Sequence, residues 1–121
     1  MYKLINPDQI KQLANDLGDK QEVIQIIDMF LASYNDKMAL IENAIKNKNF
    51  PGYTGLQGYV HDIKSNLYLF LDKETAFGAK IQVLEDKGRY SDETDLEHLF
   101  EYFKMNADKT IEELNQFLKE F

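Results

Sequence analysis

A long run of regular apolar spacing in this chain lies in residues 23–45. Apolar residues recur there in steps of three and four, at Val23, Ile26/Ile27, Phe30, Tyr34, Met38, Ile41 and Ala44/Ile45. That spacing places them along one face of a helix, which begins at about Asp19. No stretch of the chain shows the sustained alternation of apolar and polar residues that predicts a strand, so we expect an all-α fold.

Two helices with clear boundary signals flank this long one. Asn6 and Pro7 are typical of an N-cap and a first helical residue, and Gly18 is suited to end that short first helix. The break at residues 47–52 precedes a third apolar stripe, which comprises Leu56, Val60, Ile63, Leu67 and Phe70/Leu71.

The remaining chain predicts two more helices. The fourth is expected from Lys73 to Lys87, ending at Gly88, with an inward face of Ala76, Ala79/Lys80, Val83 and Leu84. The last is expected to begin at a capping box of Thr94 and Glu97 and to run to the C-terminus. We therefore expect one domain, residues 1–121, forming an antiparallel four-helix bundle with a short extra N-terminal helix.

Composition excludes several function classes. The 121 residues include no cysteine, which excludes disulfide scaffolds, zinc–thiolate sites and thiol nucleophiles. The net charge of −7 argues against nucleic acid and against an anionic membrane surface as partners. No apolar run is long enough to span a membrane and no signal peptide is evident, so we expect a cytoplasmic protein. Thirteen basic residues are lysine and only Arg89 is arginine, which we interpret as a compositional bias.

His61 is the candidate reactive residue. On a helical wheel of about 100° per residue, the centre of the third apolar stripe lies roughly 130° from it. The imidazole should therefore point away from the core. Gln57 and Gly58 lie one turn before it, Lys64 and Ser65 one turn after, and Tyr68 lies on the same exposed arc. Gly58 costs about 1 kcal/mol of helix propensity relative to alanine, which we interpret as steric access to the ring.

An accessible imidazole beside a cation is suited to accept a phosphoryl group. A ring nitrogen is the nucleophile, and the Lys64 ammonium attracts the phosphate oxygens. The chain has neither a P-loop nor a kinase-type glycine loop. We therefore expect a phosphoryl carrier without kinase activity of its own, not an autonomous enzyme.

The segment Tyr59-Val60-His61-Asp62-Ile63-Lys64-Ser65-Asn66-Leu67 resembles the H-x-[LI]-K-[GS] signature of histidine-containing phosphotransfer (HPt) domains. The resemblance extends over nearly the whole chain, with Phe30 in the long helix and the Leu84-Glu85 pair in the fourth. It implies a helical-bundle carrier of multistep two-component phosphorelays.

The resemblance also implies roles and partners. His61 would exchange a phosphoryl group with the aspartate of receiver domains, Lys64 would be the cation beside the phosphate, and Ser65 the small residue four positions on. The partners would be response-regulator receiver domains and a sensor or hybrid histidine kinase. The chain itself would be a monomer without cofactor, and Mg²⁺ would be bound by the receiver. Either Gln82 or Glu85 would bind the imidazole.

Two departures from the HPt pattern support an alternative function. Leu67 and Leu71 stand where many members have a small residue and a glycine. A degenerate member would be a non-catalytic protein-docking module that uses the same open face as the carrier. In the carrier, Gln57, Gly58, Ser65 and Tyr68 would form the contact patch for a receiver domain.

His98 is the other histidine. Asp95 and Glu101 lie one turn on either side of it, but a di-metal site in a bundle would need two Glu-x-x-His motifs and two further carboxylates. We therefore expect His98 to be a surface or boundary residue and expect no metal site.

Overall fold

The computed structural model describes residues 2–72 and 74–121, which form five helices. These are α1 (Pro7–Leu17), α2 (Lys20–Lys46), α3 (Leu56–Phe70), α4 (Ala76–Arg89) and α5 (Leu96–Glu120). Helices α2 to α5 pack in a ring in which each contacts the next and α5 contacts α2, while α1 packs on α2 and α3. The predicted all-α bundle with a short N-terminal helix is confirmed.

One phenylalanine from each helix of the bundle lies at its centre. Phe30, Phe70, Phe77 and Phe103 are each at most 2% exposed. The rings of Phe30 and Phe70 are 6.0 Å apart and those of Phe77 and Phe103 are 5.8 Å apart. Replacing one such ring by alanine typically costs about 3–5 kcal/mol, so this cluster is a major source of stability.

The ends of the first two helices follow their sequence signals. Asn6 caps α1, because its side chain accepts a hydrogen bond from the backbone N–H of Gln9. Gly18 ends α1 with a φ of 77°, a left-handed conformation that glycine adopts without strain. Asp19 caps α2 by accepting from the N–H of Gln21.

The predicted inward face of α4 is confirmed at Leu84 and wrong at its other positions. The buried residues are Phe77, Gly78, Ile81, Leu84, Glu85 and Gly88, whereas Ala76, Ala79, Lys80 and Val83 are exposed. The predicted first residue, Lys73, lies outside the described residues, and the helix begins after Thr75, whose hydroxyl accepts from the N–H of Gly78. The face is rotated because Phe77 and Ile81, two large apolar side chains, occupy the core and leave the small alanines outside.

The predicted boundaries around α4 and α5 also change. Helix α4 continues through Gly88 to Arg89. The capping box is wrong, because α5 begins after Asp95, which has a left-handed φ of 54° and makes no side-chain cap. Thr94 instead donates its N–H to Asp92.

The N-terminal segment is attached to the end of the bundle where α3 ends. Ile5 forms an antiparallel bridge with Leu71, and the N–H of Asn6 donates to the carbonyl of Phe70. The Glu113 carboxylate of α5 accepts from three successive backbone N–H groups, those of Lys3, Leu4 and Ile5, at 3.0–3.1 Å. We call this group of contacts the Glu113 anchor.

Helix length and apolarity also bear on membrane insertion. Within the described part of the chain, no helix is both long and apolar enough to cross a bilayer.

Candidate functional site

Helix α3 presents His61 on its solvent side. Val60 and Ile63 are fully buried, whereas the His61 side chain is 62% exposed. The predicted orientation of the ring away from the core is therefore confirmed. An incoming reactant has access to this imidazole.

The neighbouring helix α4 supplies the partner of the ring. Glu85 Oε1 lies 3.3 Å from His61 Nδ1, and the Glu85 side chain is only 3% exposed. Gln82, the other candidate from the sequence, accepts a hydrogen bond from Lys64 Nζ at 3.0 Å instead. The structure thus selects Glu85 as the residue that contacts the imidazole.

The Glu85 contact determines which ring nitrogen is free. A carboxylate only accepts hydrogen bonds, so Nδ1 must carry the proton that it shares with Glu85. The lone pair of a neutral imidazole is then on Nε2. No group in residues 2–72 or 74–121 forms a hydrogen bond with Nε2, so this nitrogen is available as a nucleophile.

Two cations neutralise the buried carboxylate. Lys64 Nζ lies 2.7 Å from Glu85 Oε1, and Arg89 Nη2 lies 3.1 Å from Oε2. A buried carboxylate without such partners is strongly disfavoured, so these contacts stabilise its ionised form. Lys64 is mostly buried and Arg89 is 42% exposed, which leaves the guanidinium closer to solvent.

Arg89 is a site residue that sequence reasoning missed. Its rarity in the composition was interpreted as bias, yet the side chain bridges Glu85 and Asp86 beside the histidine. The available signal was its spacing, because Glu85 and Arg89 are four residues apart and so face the same side of α4.

Two glycines permit the close packing beneath the site. A Cβ on Gly58 would lie 2.3 Å from the carbonyl oxygen of Tyr53, and one on Gly88 would lie 2.4 Å from the backbone nitrogen of Gln57. Both distances are too short for any other residue. Gly58 is therefore explained by the approach of the 51–55 loop to α3. From the sequence alone, it was interpreted instead as giving steric access to the imidazole.

The other predicted contact residues have local structural partners. Gln57 Oε1 accepts from the N–H of Gly52 at 3.0 Å, and Ser65 Oγ donates to the carbonyl of His61 at 3.0 Å. Tyr68 is half-buried rather than exposed, because its hydroxyl donates to the Gly78 carbonyl on α4 at 2.9 Å. Gln57 therefore binds the preceding loop, Ser65 binds the backbone of His61, and Tyr68 lies where α3 and α4 meet.

The imidazole of His61 opens onto a depression of about 510 Å³. Its lining includes Tyr53, Gln57, His61, Lys64, Glu85 and Arg89. Gly58 also lines it, whereas Ser65 and Tyr68 do not. The depression joins the nucleophilic ring to two cationic side chains, a combination that is suited to an anionic reactant.

His98, the second histidine, has a different environment. It is exposed near Glu93, Asp95 and Glu97, at the end of the bundle where α2 ends and α5 begins. Over the described ranges, no group of three or more histidine, aspartate or glutamate side chains is arranged to hold a metal ion.

Comparison with known proteins adds no relative to this description. No protein-family model, curated protein or solved structure matches the chain.

Proposed function

We propose that this protein is a phosphorelay carrier of the HPt type, in which Nε2 of His61 carries the phosphoryl group. It would accept this group from the aspartyl phosphate of one receiver domain and pass it to another, in two-component signal transduction. One observation carries the proposal. An exposed imidazole has its Nδ1 bound to a buried carboxylate, which leaves Nε2 free beside two cations.

The proposed loading step is a single in-line displacement. The Nε2 lone pair attacks phosphorus, an Nε2–P bond forms and the bond from phosphorus to the aspartyl oxygen breaks. The bonding electron pair leaves with the receiver's carboxylate. Because Nδ1 keeps its proton throughout, the ring needs no general base, and the Glu85 carboxylate stabilises the positive charge that develops on it.

Lys64 and Arg89 supply the electrostatic part of this proposal. Both line the depression with His61 and both are within hydrogen-bonding distance of Glu85. The transferring phosphoryl group carries negative charge on its oxygens, and nearby fixed cations stabilise such charge. The exposed guanidinium of Arg89 has a forked geometry that matches phosphate oxygens.

The remaining requirements of the reaction are assigned to partners. The sequence contains no nucleotide-binding loop, so a sensor or hybrid histidine kinase would be the original phosphoryl source. Receiver domains would supply the acceptor aspartate and its Mg²⁺. The carrier would be a cytoplasmic monomer. A receiver would dock over Gln57, Gly58 and Ser65, with Tyr68 as a more recessed contact.

The direct test is phosphotransfer from a labelled receiver. A panel of phosphorylated receiver domains is incubated with the protein, and acid-labile, base-stable label on the carrier is measured. We expect His61→Gln to abolish labelling. The matched control is His98→Gln, which removes the other exposed histidine and should leave labelling unchanged.

Label that persists in His61→Gln would overturn the proposal. Receiver binding of equal strength in wild type and His61→Gln, without any label transfer, would instead support the alternative of a non-catalytic docking module.

A further inference from the structure

The imidazole contacts a carboxylate rather than an amide. The negative charge of this carboxylate affects the protonation of the ring once Nε2 is phosphorylated, a state that we call the loaded ring. Glu85 is 3% exposed and is shared by three groups, His61 Nδ1, Lys64 Nζ and Arg89 Nη2. A glutamine at this place would accept one hydrogen bond but would carry no charge. The carboxylate therefore links the protonation of the ring to the positions of both cations.

Phosphorylation of Nε2 would introduce a second anion that competes with Glu85 for the two cations. A phosphoryl group carries about two negative charges near neutral pH and would attract the same two cations. Lys64 and Arg89 line the depression that the phosphoryl group would enter, so both can turn towards it without leaving the site. Glu85 would then keep His61 Nδ1–H as its principal partner.

When cations move away from a buried carboxylate, the carboxylate stabilises more strongly the positive charge that remains next to it, here that of the protonated ring. We infer that Glu85 is a positioning residue that retains the proton on Nδ1 of the phosphorylated ring, and so keeps the phosphoryl group transferable at alkaline pH. This inference rests on the proposed function for its biological meaning, but its chemistry can be tested without any receiver.

The retained proton matters for the unloading step. When the Nε2–P bond breaks, its electron pair returns to Nε2 while a new bond forms between phosphorus and a receiver carboxylate or water. If Nδ1 is protonated, the leaving group is a neutral imidazole, whereas a deprotonated ring would have to leave as an anion. Attack by water forms dihydrogen phosphate, which then releases one proton to solvent above its second pKa, and attack by a carboxylate releases none.

Ionisable groups lie near the ring on two helices and one loop. Helix α4 contributes Glu85, Arg89 and, through Arg89, Asp86. Helix α3 contributes Lys64 and Asp62, and the preceding loop contributes Tyr53. Asp62 is paired with Lys37 of α2 at 2.5 Å, so the only carboxylate that contacts the ring is Glu85, among the residues with described positions.

The test uses phosphoramidate, a small reagent that phosphorylates histidine without a protein donor. Wild type, Glu85→Gln and Asp62→Asn are loaded, and the rate of phosphoryl loss is followed by ³¹P NMR from pH 5 to pH 10. We expect the alkaline fall in this rate to lie at higher pH in wild type than in Glu85→Gln, because a carboxylate beside the ring favours its positively charged form. The control Asp62→Asn also removes a carboxylate next to His61, but one that faces Lys37, and should follow wild type.

Equal midpoints in wild type and Glu85→Gln would overturn the inference, as would failure of the reagent to load His61. If Glu85→Gln does not fold, the ¹⁵N shift of Nδ1 in loaded wild type reports ring protonation directly. Loss of the Nδ1 proton at the same pH as in free phosphohistidine would then overturn it. Failure of the receiver panel, with the expected pH profile intact, would contradict the relay function alone.

Discussion

Two glutamates of this bundle, Glu85 and Glu113, are bound by different kinds of partner. Glu85 is held by side chains, namely the imidazole of His61 and the cations of Lys64 and Arg89. Glu113 is held by the backbone, through the N–H groups of residues 3–5. Side chains can rotate towards a new anion and return, whereas backbone amides cannot move without moving the chain. The first arrangement is suited to exchange of partners and the second to permanent attachment.

The largest expected effect is at the Glu113 anchor. Glu113→Ala leaves three backbone N–H groups without their acceptor, and hydrogen bonds to a charged group contribute about 1.5–3 kcal/mol each when buried. Because this segment is partly exposed and water can replace some contacts, we expect a loss of about 3 kcal/mol in the free energy of unfolding, measured by urea denaturation. The control Glu112→Ala alters an exposed neighbour and should change stability by less than about 0.5 kcal/mol. Equal losses in the two variants would show that Glu113 is not an anchor.

The next effect is kinetic. Lys64→Ala removes the mostly buried cation beside His61 and should slow phosphotransfer about tenfold, which corresponds to about 1.4 kcal/mol in the barrier. The protein should remain folded, as measured by circular dichroism. Lys37→Ala removes the cation on the other side of α3 and serves as the control. A wild-type rate in Lys64→Ala would remove Lys64 from the proposed mechanism.

A smaller effect on stability is expected at Glu85. Glu85→Gln keeps the volume and one acceptor, the mostly buried Lys64 keeps its hydrogen bond to Gln82, and the freed His61 and Arg89 side chains are exposed enough to be solvated. We therefore expect the free energy of unfolding to fall by about 1 kcal/mol, which is less than for Glu113→Ala. A greater loss at Glu85 than at Glu113 would reverse the proposed division between exchangeable and permanent contacts.

The smallest effect is expected at a third carboxylate, which is bound both by a side chain and by a backbone N–H. Asp92 accepts from the N–H of Thr94 and from Lys87, and these contacts, the backbone bond first, lower its pKa from 3.8 to about 2. A lowered folded-state pKa stabilises the fold above pH 3.8, and this contribution is lost as the pH falls towards 2. Asp92→Asn should therefore lose less stability between pH 4 and pH 2 than wild type does, as measured by urea denaturation at each pH. Identical losses would show that the contacts of Asp92 contribute nothing to acid sensitivity.

Sequence reasoning succeeded on α3, whose large apolar residues form a single stripe. The orientation of His61 follows from the angles between it and the apolar residues of α3, and α3 lies as those angles predict. It failed on α4, where the alanines were placed inside and Phe77 was not. Because the predicted face of α4 differed from the real one, sequence reasoning did not decide between Gln82 and Glu85. For the same reason it did not place Arg89 at the site.

The roles of Gly58 and Glu113 depend on contacts between segments that are distant along the chain or separated by a turn. Nothing in the residues around Gly58 shows that the carbonyl of Tyr53 occupies the space of its absent Cβ. Similarly, Glu113 looks like one half of an exposed Glu112-Glu113 pair until the N-terminal segment is placed against it.

By itself, the sequence determined an all-helical chain and an outward-facing histidine with a lysine one turn away, because the large apolar residues of α3 form a single stripe that fixes its buried face. Only the tertiary structure decided which ring nitrogen is free. That choice depends on a carboxylate from another helix, and the register between two packed helices is set by the fit of their side chains rather than by either helix alone.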